Sequence, residues 1–507
     1  MDVLGHLFWA FRISFEPYNL LFCFLGVLFG TLVGVLPGLG PTAAISLLLP
    51  ITFTMTPIQS IIMLAGIYYG AQYGGSTTSI LVNIPGEASS VVTCLDGYQM
   101  ARKGRAGAAL GISAFGSFIG GTFTIVMLML LAPPLAGIAL KFGPPESASI
   151  MFFGLTMVTY LSSGSMVKAL MMAVFGLLLG CIGTDLITGL QRYTLGMIDL
   201  EDGIGLVPVV MGLFGISEVL WNIEDVTRKQ EVFKTDMKGL LPNKQDWKDS
   251  AGPIARGSVV GFFLGLLPGG GALIASLISY AMEKKISRQP KRFGTGDIRG
   301  VAGPETANNA GAGGAFIPLL SLGIPCNVVL ALLMGAFMIH KITPGPLLLK
   351  EHPDLFWGVV GSMYIGNIML LILNLPLIGL WVKILKIPYS ILFPMIFLFC
   401  LIGSYSLNNS SFDILIMILF GIIGYWMKKF HYDAAPLVMA FVLGPMLEEN
   451  VRQALLISKG DAAIFFQRPI SSLFMTVSLI LLISPHLLRL FRKKRPGLLA
   501  QETDDRK

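Results

Sequence analysis

Two glycine- and proline-rich segments of this sequence are suited to binding an anion through backbone groups. Residues 30–40 read GTLVGVLPGLG, and residues 261–271 read GFFLGLLPGGG. Because Pro ends a helix and Gly accepts backbone dihedral angles that other residues avoid, each segment predicts a helix break. Pro41 and Thr42 then begin a new helix, whose free N–H groups and positive dipole end attract anions. The alternative is a Gly-rich kink that only packs helices.

These two tips, together with a second pair of breaks at residues 83–87 and 323–327, form the predicted binding site for an anionic substrate. We expect the tips to leave no room for a Cβ atom, so that glycine is required there. The predicted substrate-binding residues are Gly38, Gly40, Pro41, Thr42, Pro85, Gly86, Gly269, Gly270, Gly271, Pro325, Cys326 and Asn327.

Side-chain oxygen is concentrated at and just before the second pair of breaks. Residues 74–79 read GGSTTS and lead to NIPGE, and residues 305–309 read ETANN and lead through GAGGA to GIPCN. Hydroxyls, amides and unwound carbonyls are ligands that a hard, weakly charged cation prefers. The predicted Na⁺ ligands are Ser76, Thr77, Thr78, Asn83, Thr306, Asn308 and Asn309. Each of them could instead bond to a helix carbonyl or join two helices.

Signals for catalysis or for a cofactor are absent from the sequence. The string PGGGA lacks the Gly-Lys-Ser/Thr ending of a phosphate-binding loop, the five histidines contain no HExxH pair, and the five cysteines have no CxxC spacing. We therefore predict no enzyme, no cofactor and no metal other than Na⁺. A membrane enzyme acting on lipid or peptide is the alternative from a different class.

The composition places these motifs in a membrane. Of the 507 residues, 54% are hydrophobic and 13% are charged, against about 25% charged in a soluble domain. Apolar runs of bilayer length recur along the chain and predict ten or more membrane segments. The 59 glycines predict close helix packing and interrupted helices. The net charge of +7 lies in short loops, where it sets orientation, so that no nucleic-acid role follows.

Four pairs of similar segments, which occur in the same order in the two halves, predict that the chain contains an internal repeat. The tip segments are 231 residues apart, and Pro85 of NIPG precedes Pro325 of GIPC by 240 residues. Phe-Gly pairs beginning at 175 and 420, and the strings PVVM at 208 and PLVM at 436, supply the other two matches. Chance similarity between Gly-rich apolar stretches is the alternative.

Loop charge predicts that the two halves have opposite orientations. Cytoplasmic loops are rich in Lys and Arg; residues 283–299 hold six basic residues, whereas the equivalent loop at 52–59 holds none. The next loop is reversed, with three basic residues at 102–105 and only Lys341 in the second half. Two inverted-topology repeats follow, an architecture in which secondary transporters bind substrate near the midplane. Residues 255–282 are then a re-entrant hairpin, and elevator-type movement of the tips is predicted.

The fold class predicted is therefore an all-α polytopic membrane protein of two inverted repeats with broken and re-entrant helices. Its predicted divisions are an N-terminal segment (1–17), membrane repeat 1 (18–223), a cytoplasmic linker (224–253), membrane repeat 2 (254–465), a final transmembrane helix (466–490) and a basic cytoplasmic tail (491–507).

The motifs resemble those of the TctA family, the large membrane subunit of the tripartite tricarboxylate transporters. The resemblance lies in the two tip segments, in YYGAQYGGSTTSILVNIPGEASSVVTCLDGYQMARKGRAGAALG and in GPETANNAGAGGAFIPLLSLGIPCN, and it covers about residues 18–465. The long string at 68–111 is its most distinctive part.

The resemblance implies a multi-pass subunit of the bacterial inner membrane that takes up carboxylates, such as citrate or related dicarboxylates, in symport with a cation. The predicted oxygen ligands favour Na⁺ as that cation. The resemblance also implies two partners, a small four-span membrane subunit and a periplasmic solute-binding protein. A homodimer is a further assembly that this chain could form. The alternative function is a stand-alone carboxylate transporter or a channel that works without a binding protein.

Overall fold

The computed structural model describes residues 3–36, 39–162, 165–185, 187–224, 239–384 and 389–493. Nearly all regular structure in these residues is helical. A short antiparallel ribbon pairs Gly183–Thr184 with Gln191–Arg192. The all-α class predicted from composition is thus confirmed.

The helices before the linker are as follows. They are α1 (Val3–Ser14), α2 (Pro17–Val35), α3 (Gly40–Leu48), α4 (Pro57–Val82), α5 (Val91–Arg102), α6 (Ala106–Ala139), α7 (Pro144–Leu161), α8 (Met166–Gly180), α9 (Leu206–Val210) and α10 (Ser217–Glu224). Short 3-10 turns lie at Leu49–Thr54, Ala88–Ser90 and Ile198–Leu200, and a π-helical segment, Met211–Ile216, joins α9 to α10.

The helices after the linker complete the fold. They are α11 (Lys244–Gly265), α12 (Gly271–Ile286), α13 (Arg299–Gly314), α14 (Phe316–Leu322), α15 (Val328–Ile339), α16 (Leu348–Glu351), α17 (Pro353–Asn374), α18 (Ile378–Ile384), α19 (Tyr389–Asn408), α20 (Ser411–Lys429), α21 (Ala435–Ile457), α22 (Ile464–Gln467) and α23 (Pro469–Lys493). A 3-10 turn lies at Pro290–Arg292.

Six helices of the described residues are long and apolar enough to cross a membrane. They are Pro17–Val35, Ala106–Ala139, Leu206–Glu224, Pro353–Asn374, Ser411–Lys429 and Ala434–Ile457. Five further apolar helices are shorter, among them Gly40–Thr54 and Val328–Ile339. The sequence predicted ten or more segments because it counted these shorter pieces as spans, whereas glycine and proline divide several apolar runs. This is the arrangement of an all-α polytopic membrane protein.

Local sequence signals set several helix starts beside these breaks. Thr56 and Gln59 form a capping box around Pro57, the first residue of α4. Asn327 accepts a hydrogen bond from the backbone N–H of Leu330 and so caps α15. Such caps satisfy backbone donors that water cannot reach in an apolar environment.

Both predicted tips are turns between two helices. The first lies between α2 and α3, where Pro37 and Gly38 fall outside the described residues. The second, Leu266 to Gly270, joins α11 to α12, which pack on each other. In each hairpin the second helix begins with a glycine in the left-handed region, Gly40 at φ 58° and Gly271 at φ 45°. The predicted helix breaks at both tips are confirmed.

The second pair of breaks also has the same local geometry in both halves. Asn83 after α4 and Gly323 after α14 are left-handed, with φ of 59° and 71°. Four residues later Glu87 and Asn327 are extended, and each side chain accepts a backbone N–H of the helix that follows. The 240-residue offset read from the sequence therefore relates two equivalent backbone turns.

A ladder of glycines joins the hairpin of each half to its interrupted helix. In the first half, Gly26, Gly30 and Gly34 of α2 lie against the backbone of Met63, Ile67 and Ala71 of α4. In the second half, Gly257, Gly261 and Gly265 of α11 lie against that of Gly303, Ala307 and Gly311 of α13. Each contact of the first half recurs in the second half. The glycines of α2 and α11 are 231 residues apart in the sequence, and their partners on α4 and α13 are 240 residues apart.

Other helices pack across the two halves in an exchanged pattern. Helix α6 packs on α13 and α17 packs on α4. In the same way α8 packs on α21, and α20 packs on the π-helical segment between α9 and α10. The halves are therefore interlocked, so that neither hairpin can be placed without helices of the other half.

The glycine ladder makes a prediction for stability. A Cβ atom at Gly261 would lie 2.7 Å from the Cα atom of Ala307, so Gly261→Ala should force α11 away from α13 and cost about 1–3 kcal/mol. Gly137 of α6 is the control, because a Cβ there meets nothing within 4 Å. Thermal unfolding of the detergent-solubilised protein should show a lower melting temperature for Gly261→Ala alone. Equal melting temperatures for the two variants would contradict the role of the ladder.

Candidate functional site

The four helix breaks converge because each hairpin reaches the interrupted helix of the other half. Helix α3 packs on α15, and α12 packs on the turn Ala88–Ser90. The Ser276 hydroxyl of α12 donates to the Ser89 carbonyl oxygen at 3.0 Å. Residues that the sequence places more than 180 positions apart therefore meet at one interface.

Each tip is also bonded to the break of its own half. The Gly269 N–H donates to the Cys326 carbonyl oxygen at 2.8 Å. The Thr78 hydroxyl donates to the Val35 carbonyl oxygen at 2.6 Å. These bonds satisfy backbone groups that the helix breaks leave without a helical partner.

A buried carboxylate, Glu305 of α13, lies at the centre of this interface. Three hydroxyls donate to it, from Ser76 of α4 at 2.5 Å, from Ser113 of α6 at 3.1 Å and from Thr93 of α5. Glu305 is fully buried and its three donors are nearly so. Four helices must be in place to complete this arrangement.

A second buried carboxylate, Glu87, lies in the same polar cluster. It accepts hydrogen bonds from the backbone N–H of Ser89 at 2.7 Å, from the Ser89 hydroxyl at 2.5 Å and from Nδ2 of Asn308 at 3.3 Å. Asn308 belongs to α13 and lies about one helical turn beyond Glu305. Both halves therefore contribute to the environment of Glu87.

Neither carboxylate is ion-paired within the described residues. The ion pairs of these residues involve other acids, such as Asp246, Glu283 and Glu448. Removing a carboxylate from water costs several kcal/mol unless a charge partner or hydrogen bonds compensate for it. Among the described residues, only hydroxyl, amide and backbone donors offset the cost of burying Glu87 and Glu305.

Three acceptor oxygens surround the Ser89 hydroxyl, which carries a single hydrogen. Its Oγ lies 2.5 Å from Oε2 of Glu87, 2.8 Å from Oε1 of Gln72 and 2.7 Å from Oδ1 of Asn308. A hydroxyl carries one hydrogen, so it can donate to only one of these three oxygens. Rotating the Gln72 amide would make it a donor to Ser89, but Glu87 and Asn308 would still present two acceptor oxygens to one hydrogen. Rotating the Asn308 amide as well would place its oxygen against Oε1 of Glu87. The cluster is therefore short of positive charge or of a proton.

Other predicted cation ligands lie at the edge of this cluster or apart from it. Asn309 donates from Nδ2 to the Ser117 hydroxyl at 2.7 Å and lines a small cavity of about 20 Å³. Thr306 donates to the Ala302 carbonyl oxygen and packs on glycines of α6. Thr77 is buried on α4, whereas Asn83 is exposed at the end of that helix. The structure brings together Ser76 and Asn308 of the predicted set.

One predicted substrate residue, Thr42, lines a cavity of about 530 Å³. Thr42, in the first turn of α3, and Val328, the first residue of α15, both line it. Lys428 and His431 also line it, and Lys428 is ion-paired with Glu218. Two helix N-termini thus face a cavity that also carries the basic Lys428 and His431 and the acidic Asp433.

The remaining predicted substrate residues form the backbone of the breaks. Gly86 packs on Gly34 of α2, and Pro85 beside it is half-buried. Pro325 and Cys326 are buried next to the second tip. Asn327 donates from Nδ2 to the Tyr68 hydroxyl at 2.9 Å.

The expected lack of room for a Cβ atom is wrong at two of the tip glycines. At Gly40 and Gly271 nothing lies within 4 Å of the position that a Cβ atom would take, and their positive φ angles are what favours glycine there. At Gly269 the expectation is correct, because a Cβ would lie 2.9 Å from the Cα atom of Val158. Gly270 is also tight, against the Leu264 carbonyl oxygen.

Sequence reasoning missed the residues at the centre of the cluster. Glu87 and Glu305 were treated as parts of motifs rather than as ligands, and Gln72, Ser89, Thr93 and Ser113 were not selected. A signal for the two acids was available, since an acidic residue inside an apolar segment is by itself a candidate functional residue. Nothing in the sequence pattern distinguishes the four partners from other polar residues on their helices.

A separate charged network lies beside the ribbon that follows α8. Arg452 of α21 donates to Asp185 at 2.7 Å and also pairs with Glu448, which in turn pairs with Arg192. The hydrogen bond from Arg452 lowers the pKa of Asp185 below its ordinary value. This network fastens the loop between α8 and α9 to α21 and is distinct from the buried cluster.

Comparison with known protein families gives one match, which covers most of the chain. The model described as Tripartite tricarboxylate transporter TctA family matches residues 20–439. An uncharacterised 52.8 kDa protein in the TAR-I ttuC' 3' region of Agrobacterium vitis is 51% identical over 502 residues, which are 99% of this chain and 100% of that protein. An uncharacterised protein in the TAR-II ttuC' 3' region of the same organism is 51% identical over 242 residues, 48% of this chain and all of that protein. No solved structure matches the chain.

Gly40, where only the backbone angle favours glycine, and Gly269, where space is also lacking, should respond differently to substitution. Asn adopts positive φ more readily than other residues with a side chain, so Gly40→Asn should keep at least about half of the native solute uptake, whereas Gly40→Val should not. Gly269→Asn should fail as Gly269→Val does, because the space is filled by Val158.

Solute uptake into cells, with the amount of protein in the membrane measured in parallel, separates these outcomes. Uptake by Gly269→Asn at normal membrane levels would show that the tip of the second hairpin tolerates a side chain.

Proposed function

Because this chain belongs to the tripartite tricarboxylate transporter TctA family, we propose that it is the large transmembrane subunit of a binding-protein-dependent secondary transporter. Its substrates are carboxylates, either tricarboxylates such as citrate or related dicarboxylates, and uptake is coupled to a cation gradient, with Na⁺ as the coupling ion. The protein is a transporter and not an enzyme. It works in the bacterial inner membrane with a small four-span subunit and a periplasmic solute-binding protein.

Two inverted repeats are the architecture that we propose for the membrane part. The recurring glycine ladder and the recurring left-handed breaks support equivalence of the halves. Loops predicted to be cytoplasmic by charge also meet at one end of the molecule, where Lys103 donates to the Thr295 carbonyl oxygen and Arg105 pairs with Asp246. Both contacts join a loop of the first half to the base of the second.

Cysteine labelling tests this orientation. Single cysteines in place of Lys103 and Lys291 should react with a membrane-impermeant maleimide only after the inner face is opened, because both loops are cytoplasmic in the proposed topology. A cysteine in place of Lys341 should react from outside. Reaction of the first two cysteines from opposite sides of the membrane would overturn the inverted arrangement.

Cation coupling rests on one observation, the pair of buried carboxylates without a basic partner among the described residues. Glu305 and Glu87 lie among hydroxyl and amide oxygens at the meeting point of the two halves, and Ser89 cannot supply enough hydrogens to its neighbours. A Na⁺ ion held by these oxygens supplies the positive charge that the cluster lacks. Hard oxygen ligands of this kind suit Na⁺, and a proton on Glu87 is the other way to balance the cluster.

The anionic substrate then binds next to the breaks, where the N-termini of α3 and α15 face the cavity beside Thr42. A helix N-terminus contributes about 0.3–2 kcal/mol to anion binding. Two of them give only weak affinity for a di- or tricarboxylate. The bound cation supplies further attraction, and this mutual dependence is the physical basis of symport.

Elevator-type movement is the transport motion that we propose. Each hairpin packs tightly on the interrupted helix of its own half through the glycine ladder, so the hairpins, the breaks and the buried cluster can move as one body. Structures of inward and outward states would test this, since equal membrane depth of the tips in both states would favour rocking of the two halves.

Replacing the central carboxylate should abolish coupled uptake. Gln has the shape of Glu, but Glu305→Gln removes the negative charge and replaces one acceptor oxygen with an NH₂ donor beside the hydroxyls of Ser76 and Thr93. We expect carboxylate uptake driven by a Na⁺ gradient to fall at least about tenfold, a loss of about 1.4 kcal/mol or more. Vesicles containing this chain and both partners, with a panel of carboxylates and with or without a Na⁺ gradient, provide the measurement.

Glu449→Gln is the matched control, because Glu449 lies on α21 outside the cluster and should keep native uptake. Asn308→Ala should raise the Na⁺ concentration for half-maximal uptake, whereas Asn83→Ala should not, since Asn83 lies outside the cluster. Native Na⁺-dependent uptake by Glu305→Gln would contradict the cation site. Native uptake without the binding protein would favour a stand-alone transporter or a channel.

A further inference from the structure

A large charged cavity, separate from the buried cluster, lies at the base of the second hairpin. Its volume is about 990 Å³, and its walls come from the turn between α5 and α6, the start of α11, and the loop between α12 and α13. Seven basic and four acidic side chains line it. The basic ones are Lys103, Arg105, Lys248, Arg256, Arg288, Arg292 and Arg299, and the acidic ones are Asp246, Asp249, Glu283 and Asp297.

Three of the four acids are already neutralised by three of the arginines. Arg256 forms a two-bond pair with Glu283 at 2.7 Å, Arg299 pairs with Asp297 at 2.6 Å, and Arg105 pairs with Asp246. The remaining basic residues, Lys103, Lys248, Arg288 and Arg292, face one further acid, Asp249. The cavity therefore has an excess of three positive charges.

The charges outside these pairs come from three different segments of the chain. Lys103 follows α5, Lys248 lies in the first turns of α11, and Arg288 and Arg292 belong to the loop after α12. A concave wall with charges of one sign concentrates the electric field and raises the local concentration of counter-ions. The cavity therefore concentrates anions beside all three segments.

A buried carboxylate fastens two of these segments to each other. Asp96 of α5 accepts backbone N–H bonds from Gly294, Gly296 and Asp297 at 2.7–3.0 Å, and a hydroxyl bond from Tyr280 at 2.9 Å. The loop that carries Arg288 and Arg292 is thus held against the first half of the molecule.

The cavity is also mechanically close to the buried cluster. Met100 lines the cavity and Thr93, on the same helix, donates to Glu305; the distance between them along the helix axis is about 10 Å. Arg299 and Glu305 are similarly connected along α13, about 9 Å apart. The cavity and the central carboxylate therefore share two helices, α5 and α13.

We infer that this cavity binds a small multivalent anion, a di- or tricarboxylate or a phosphate, and that the bound anion holds the base of the second hairpin against α5 and the start of α11. An excess of three charges favours a multivalent over a monovalent anion, and planar guanidinium groups pair well with carboxylate and phosphate oxygens. One consequence rests on the proposed function: carboxylate that accumulates inside the cell binds in this cavity and slows further uptake by the same protein.

Thermal unfolding of the purified full-length chain in neutral detergent tests the site without transport. Citrate and inorganic phosphate, at constant ionic strength, should raise the melting temperature of the native protein, with chloride as the monovalent comparison. In Arg288→Gln/Arg292→Gln the concentration for a half-maximal shift should rise at least about tenfold. The matched control is Lys284→Gln/Lys285→Gln, which removes two charges from the end of α12 that do not line the cavity and should change that concentration less than about twofold.

An equal effect of the two double variants would overturn the inference, because it would reflect overall surface charge. A shift with phosphatidylglycerol but with neither citrate nor phosphate would also overturn it, since the anion would then be a lipid headgroup. In reconstituted vesicles, internal citrate should slow uptake by the native protein more than by Arg288→Gln/Arg292→Gln. If no carboxylate is taken up, the proposed function fails, while the melting comparison still decides whether the cavity binds anions.

Discussion

Two carboxylates buried without a basic partner among the described residues impose the constraint on which the rest of this structure depends. Glu305 and Glu87 can be buried only if donors surround them, and those donors come from α4, α5, α6, α13 and the turn Ala88–Ser90. Moving any of these helices would remove a donor from a carboxylate in an apolar environment. The cluster therefore ties the order of the helices to the charge state of its centre, and this link is what a coupled transporter needs.

Glycine packing and helix breaks bring the donors into place. Along α2 and α11 the ladder has a glycine at every fourth residue, so that the backbones of α4 and α13 approach closely. Each interrupted helix then ends in a left-handed residue, and the chain restarts four residues later from a side-chain cap at Glu87 or Asn327. The first of these caps is itself one of the buried carboxylates, and the equivalent position of the second half carries an amide. The two halves are therefore alike in the backbone of their breaks and different in charge.

The exchange of helices between the halves couples the hairpins to this cluster. Helix α6 provides Ser113 to Glu305, although it belongs to the first half and packs on α13 of the second. Helix α12 bonds to the backbone of Ser89, the residue with the excess of acceptors. Movement of the second hairpin away from the turn Ala88–Ser90 would alter the contacts of Glu87, so the hairpin and the turn are held together. Charges at the base of that hairpin extend the same connection to the end of the molecule where basic loops meet.

The sequence alone determined the membrane class, the recurrence of the breaks and the positions of the tips, because these depend on composition and on the backbone properties of Gly and Pro within a few residues. Of the seven residues predicted as Na⁺ ligands, Ser76 and Asn308 lie in the central cluster, and their role as ligands stays a prediction. Only the tertiary structure decided that Asn83 lies apart from them, and that Gly40 and Gly271 are favoured by backbone angle and not by lack of space. The physical reason is distance along the chain. The partners of Glu305 lie about two hundred residues away, and no local pattern records which hydroxyls will face a carboxylate once the two halves interlock.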